Sequence, residues 1–258
     1  MNFTSKQIWL INYPVMMSVL VEQLINITDA IFLGHVGETE LGASAIAGMY
    51  YLSLYILGFG FSLGLQVMIA RRNGERRPAE TGKVFFQGLF FLTTLALSLV
   101  TLSKVFTPLI LQHLLTSTEI YEAVIQYLDW RTFGLFFAFP MLAFRAFFVG
   151  ITRTRVLTAS AITLASMNVL LNYLLIFGAG KIPALGISGA AIASTISELG
   201  GLFVLVIYTR FKIDKRHYGL FPVFNQRLMG QLFHLSVWSM MHSFISVTPW
   251  FLFFILIE

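Results

Sequence analysis

The 258-residue chain is 57% hydrophobic and 11% charged, with mean hydropathy +0.79; a water-soluble domain carries about 25% charged residues, so the surplus apolar surface must face lipid. The lack of cysteine excludes disulfides and thiolate metal sites. The formal charge of +5 has its explanation in membrane orientation, so no nucleic-acid partner is expected; and because MNFTSKQ runs into an apolar span without a small-residue cleavage site, no removable signal peptide is expected either.

A membrane-spanning helix takes about 20 mainly apolar residues. In chain order such segments run at about Ile8–Leu33, Leu41–Ala70, Val84–Leu111, Ala123–Ile151, Leu157–Phe177 and Gly186–Tyr208, with a seventh from Leu228 to the last residue. The predicted fold is an all-α integral membrane protein. It has a six-helix transmembrane bundle over 1–209, a cytoplasmic basic linker over 210–227, and the truncated start of a further unit over 228–258. The seventh segment closes on TPWFLFFILIE without a polar tail. A helix stopping inside hydrocarbon leaves its last carbonyls unsatisfied, so a truncation of something longer is expected.

Alternate connections differ in charge. Lys6; Arg71, Arg72, Arg76, Arg77 and Lys83; Arg153 and Arg155; and Arg210, Lys212, Lys215, Arg216 and Arg227 hold most of the 17 Lys and Arg. The intervening loops hold Lys181 and the acids Glu38, Glu40, Glu119 and Glu122. Basic connections stay in the cytoplasm, which predicts a multi-pass plasma (inner) membrane protein with a cytoplasmic N-terminus.

Ionisable and amide groups inside spans are costly and point to function. In the first span Glu22, Asn26 and Asp29 follow i, i+4, i+7 spacing and share one helix face. Asp29 lies about 32 Å along the helix from Ile8, toward the extracellular side. It is either a proton or cation relay, neutral in one state and charged in another, or a structural carboxylate bonded to neighbouring helices; Glu22 is open to the same two readings. In the second span Gly60 and Gly64 form G-x-x-x-G, which permits close helix approach. In the fourth, Asp129 and Arg131 are expected to be solvated near one end, Pro140 to bend the helix as Pro14 does the first, and Arg145 to snorkel to the interface. Lys104 completes the cations in or near spans. Asn168 and Asn172 share a face of the fifth span; the sixth carries Gly189-x-x-x-Ala193, Ser194, Thr195 and Glu198. Their oxygens suit a hard cation such as sodium and equally suit ordinary interhelical hydrogen bonding. Trp130, Phe136 and Phe139 offer ring faces to a flat cation. A faint repeat sets EQLINITD at 22–29 on HSFISVTP at 242–249, as in transporters built from two related halves.

Several segments together resemble the multidrug and toxic compound extrusion (MATE) family. Pro14, Asp29, Gly34, Gly37 and Leu41 are similar to its first helix and turn, and Gln66 through Gly74 with Glu75 to the turn before its third helix. Phe144-Arg145-Ala146 with Gly150, Thr152 and Arg153 resembles the close of its fourth. The stretches Asn168–Gly178 and Gly186–Ser194 are similar to its helix five to six signature. The resemblance covers essentially the whole chain. It implies one lobe of a two-lobed antiporter of about twelve helices, plus helix seven, and a second lobe as partner within the membrane lipid. The implied activity is export of cationic, often aromatic compounds in exchange for protons or sodium ions, with no cofactor beyond the coupling ion. It implies coupling at Asp29, Asn168, Asn172, Ser194 and Thr195, sodium at Asp29, Asn168 and Asn172, and secondary roles for Glu22, Asn26 and Glu198. Asn172 departs from the pattern: many prokaryotic members carry Asp there, so one charge and one proton acceptor are missing. The alternatives are a lipid-linked precursor flippase of the wider superfamily, which would want several cavity Lys or Arg, and an inactive inserted fragment. Enzyme motifs such as H-E-x-x-H, G-x-S-x-G and a P-loop are missing.

Overall fold

The computed structural model describes residues 4–180 and 183–257. Lys181 and Glu258, and the side chain of Lys6, lie outside the described residues. The chain forms α1 (Ser5–Gly34), α2 (Glu38–Gly74), α3 (Pro78–Leu114), α4 (Thr118–Arg131), α5 (Leu135–Gly150), α6 (Arg155–Ile176), α7 (Gly186–Lys212) and α8 (Gln226–Ile257). A single 3-10 turn, Thr132–Gly134, joins α4 to α5. Six stretches among the described residues are long and apolar enough to cross a membrane, with α4, the turn and α5 counting as one. The fold class is therefore the expected one.

The elements begin and end where local chemistry allows. Pro78 opens α3, where a missing N–H costs nothing. Ser117 caps α4 by accepting from the Ile120 N–H at 3.3 Å, and Asn225 caps α8 by accepting from the Leu228 N–H at 3.0 Å. Both α2 and α3 run to 37 residues, about 55 Å of helix, so their ends project well past a hydrocarbon layer about 30 Å thick. That is why they outrun the apolar spans: the extra turns carry charge, and Arg71 and Arg72 clamp Glu75 at 3.0 and 3.2 Å. The fourth span is the one correction to the expected helices. It tightens into a 3-10 turn at 132–134, with right-handed helical backbone on both sides, and Pro140 lies beyond that turn, within α5.

Helix α2 lies against α3, α4, α5 and α8, while α6 is sandwiched by α1 and α7. The α2–α8 crossing depends on small residues. A Cβ on Gly60 would sit 2.6 Å from Met240 Cα, and Ser236 Oγ packs at Gly64 while donating to the Phe61 carbonyl at 3.2 Å. Gly189 does the same for α7 against the Leu175 carbonyl of α6. Both G-x-x-x-G-type sites thus mark close helix contacts.

The basic linker is ordered. Tyr218 and Leu220 are buried, the Gly82 N–H donates to the Tyr218 carbonyl at 2.8 Å, and Gln87 donates to the Val223 carbonyl and accepts from the Asn225 N–H. Gly219 holds φ +60° with its Cα against the Ala79 carbonyl, an approach and a backbone angle that only glycine meets without strain. Two apolar clusters result. One gathers Phe61, Leu65, Phe139, Phe147 and Phe148 toward the basic end; the other gathers Leu33, Ala43, Leu111, Val124 and Ile187 toward the opposite end. Along α7 the sequence of positions is Ile187 and Ala191, then Ser194 and Glu198, then Leu205, so the polar groups form a layer between the two.

Candidate functional site

Four side chains from three helices close a ring in that layer. Asp29 of α1 accepts at Oδ1 from Asn172 Nδ2 and at Oδ2 from Ser194 Oγ at 3.3 Å. Asn172 Nδ2 also donates to Asn168 Oδ1 at 3.0 Å, and Asn168 Nδ2 donates to Ser194 Oγ at 3.1 Å. Asn168 and Asn172 are fully buried, Ser194 nearly so, and Asp29 partly. The i, i+4 spacing on α6 sets both amides on the face toward α1 and α7. Asn172 Oδ1 is a buried acceptor without a hydrogen-bond partner, which a bare polar oxygen tolerates poorly. The ring therefore combines one carboxylate, three donors and a spare carbonyl oxygen, a set that can receive one positive charge.

The other expected members fall elsewhere. Thr195 is one residue beyond Ser194, about 100° round the helix; it is half-buried and donates to the Trp130 carbonyl at 3.2 Å, outside the ring. Asn26 is exposed and donates to Gln23 at 3.4 Å, so the face shared by 22, 26 and 29 is only partly turned to neighbouring helices. Glu22 meets Arg145 of α5 at 3.4 Å, and Arg145 accordingly does not snorkel free. Phe139 is fully buried against Gly58 and offers no ring face to a ligand, whereas Trp130 is exposed.

Arg131 also departs from expectation: its side chain is largely withdrawn from solvent, not solvated. Its Nη2 lies 2.7 Å from Glu198 Oε1, its guanidinium stacks 3.7 Å from the centre of the Tyr51 ring, and the Tyr51 hydroxyl donates to Glu198 at 3.2 Å. Gly134 has no side chain to obstruct the pair: a Cβ there would fall 2.3 Å from Glu198 Oε2. Ser194 and Glu198 are one turn apart on α7, so the ring and the ion pair share a helix face. Sequence reasoning missed Arg131 because its acid is 67 residues away; a buried Glu on the α7 face was the only signal that a cation had to be near. Lys104 pairs with Asp129 at 2.7 Å. Each of Lys104, Arg131 and Arg145 is thus neutralised by a carboxylate.

The MatE family model matches residues 14–174, more than half of the chain. The probable multidrug resistance protein NorM of Agrobacterium fabrum is 27% identical over 212 residues, which are 82% of this chain and 45% of that protein. The protein of the same name from Bacillus subtilis is 24% identical over 220 residues, 84% of this chain and 48% of that one. Among solved structures, an outward-facing multidrug resistance MATE family transporter of the MOP superfamily superposes with TM-score 0.82 at 18% identity, over 94% of this chain and 56% of the other. The eukaryotic MATE transporter AtDTX14 superposes with TM-score 0.83 at 20% identity, over 94% and 54%. The chain spans about half the length of the curated relatives it matches.

Proposed function

The chain belongs to the MatE family, and from that premise we propose that it forms one lobe of a secondary active antiporter. This antiporter exports cationic, aromatic small molecules in exchange for protons or sodium ions, with the second lobe closing the pathway and Asp29 taking up the coupling ion. The observation that carries this is the closed ring of Asp29, Asn172, Asn168 and Ser194 between α1, α6 and α7.

The mechanism follows from charge. With Asp29 ionised, donors from α6 and α7 both point at its carboxylate, and a hydrogen bond to a charged group contributes about 1.5–3 kcal/mol. α1 is then held against its neighbours. A proton or sodium ion on Asp29 removes that pull and offers the spare Asn172 oxygen a partner. α1 is the element free to respond. Pro14 removes one of its backbone hydrogen bonds, and apart from α6 it makes little contact with the bundle. Two charge states of one residue thereby favour two positions of one helix, as an exchange cycle requires.

The flippase reading is disfavoured by the same geometry. A pyrophosphate held inside the lobe needs unpaired cations between its helices, and Lys104, Arg131 and Arg145 are each engaged by an acid. The test is efflux of a fluorescent aromatic cation from cells or vesicles carrying the complete two-lobed protein, driven in turn by a proton gradient and by a sodium gradient. Asp29→Asn should abolish coupled efflux under whichever gradient drives the unaltered protein. Undiminished efflux would remove Asp29 from the mechanism.

A further inference from the structure

A cavity lies away from the ring, at the end of the bundle where the basic turns gather. Asn73 of the α2–α3 turn donates to the Gly150 carbonyl at 3.2 Å, and Arg153 reaches the Lys212 carbonyl at 3.4 Å, so the 71–77, 151–154 and 210–212 segments share this end. Between the first turns of α1 and α6 is a cavity of about 500 Å³ lined by Trp9, Leu10, Tyr13, Pro14, Arg155 and Thr158. Its walls are almost wholly apolar. The Thr158 hydroxyl is already committed to the Pro14 carbonyl at 3.0 Å, which fastens α1 to α6 at the floor of the cavity. Arg155 is exposed and enters no ion pair among the described residues, whereas Arg153 beside it is engaged.

We infer that this groove is a binding site for an anionic phospholipid of the adjoining leaflet, its acyl chain against Trp9, Leu10 and Tyr13 and its phosphate on Arg155. Charge complementarity selects the occupant. An unpaired guanidinium at the first residue of a helix presents charged donors beside the positive end of the helix dipole. Basic pockets between membrane helices on a positively charged face take anionic headgroups. Trp and Tyr sit at headgroup depth, with their polar edges wet and their rings in hydrocarbon. A neutral headgroup would leave Arg155 unmatched, and a free inorganic anion would leave the apolar walls wet. The bound lipid would brace the Pro14 end of α1, the helix that carries Asp29.

The test is native mass spectrometry of the purified chain released from vesicles of phosphatidylglycerol and phosphatidylcholine in equal amounts, counting retained lipid. Phosphatidylglycerol should be retained selectively, and Arg155→Gln should lower its retention about fivefold, the equivalent of about 1 kcal/mol for one interfacial charge. Arg155→Lys should keep most of it. Arg76→Gln, which removes the same charge from an exposed position at the same end, should change nothing. Far-ultraviolet circular dichroism of each variant separates lost binding from lost fold. Equal retention of the two lipids, or equal loss in Arg76→Gln and Arg155→Gln, would overturn the site. So would an aromatic cation displacing lipid from it at equal occupancy, which would make the groove a substrate site.

Discussion

Arg131 Nη2 lies 2.7 Å from Glu198 Oε1, with the two side chains only 14% and 12% exposed. The contact ties the C-terminal end of α4 to the middle of α7, and Tyr51 brings α2 to the same point. An ion pair this deep is weak evidence of net stabilisation, because desolvation offsets the attraction. Breaking it is another matter. Glu198→Ala leaves a buried guanidinium without its counter-charge and should cost about 3–5 kcal/mol, read as a fall in the thermal midpoint of the detergent-solubilised chain. The double change Arg131→Met with Glu198→Leu should restore most of that loss. If the single variant melts like the unaltered chain, Arg131 finds another acceptor and the tether is not structural.

The pattern of what the sequence disclosed follows from range. Asn168 and Asn172 were readable as a pair, since one helical turn guarantees a shared face. Gly60, Gly64 and Gly189 were readable as crossing points because lack of a side chain is a local fact. The partners were not readable. Arg131 looked solvated near a span end, and only the fold brings Glu198 to it from 67 residues away. Composition marks 210–227 as a basic linker and says nothing of its partners, and Gln87 pins it across 136 residues of chain. Ser194 and Thr195 were indistinguishable by composition, and a 100° rotation put one into the ring and the other outside it. Periodicity gives a face, and the identity of what it meets is a property of the assembled bundle.

The amide at Asn172 makes the coupling ion a measurable consequence of one atom. Asn172→Asp would set a second carboxylate against Asp29, and two such charges at contact cannot both be ionised without a cation between them. Sodium binding to the folded state then raises stability by RT ln(1 + [Na⁺]/Kd), about 2.7 kcal/mol at a hundredfold excess over Kd. The expected result is a sodium-dependent rise in thermal midpoint for Asn172→Asp that is several times that of the unaltered chain and vanishes in Asp29→Asn with Asn172→Asp. A large sodium response in the unaltered chain, equal to that of the variant, would show that one carboxylate already suffices.

Two glycines of α2 should respond to alanine in opposite directions. At Gly60 a methyl group would meet the Met240 backbone at 2.6 Å, so α8 must move away, and overpacking of this kind costs about 1–3 kcal/mol. At Gly48 a methyl group meets nothing within 4 Å, and the gain is the helix propensity of alanine over glycine, about 0.5–1 kcal/mol. Thermal unfolding of Gly60→Ala and Gly48→Ala should therefore bracket the unaltered chain from below and above. A neutral Gly60→Ala would mean that α8 is not seated on α2.

The linker supplies the last test, because its order rests on a few side chains. Gln87 is 1% exposed and serves both the Val223 carbonyl and the Asn225 N–H. Gln87→Leu keeps the bulk, strands two backbone groups, and should cost about 1–3 kcal/mol. Protease cleavage between α7 and α8 should accelerate in step. Asp214 acts at the other end of the linker. The backbone N–H groups of His217 and Arg216 donate to its carboxylate at 3.2 and 2.9 Å and hold it below the usual carboxylate range. A carboxyl group whose folded value is depressed favours folding in full above its ordinary range, and that support is lost as pH falls through the lower folded value. Linker protection against protease should therefore weaken on the acid side in the unaltered chain. Asp214→Asn should give a flatter acid limb at a lower starting level, because the amide keeps an acceptor and gives up the charge. Identical acid limbs would assign the turn to Gly219 and Tyr218 alone.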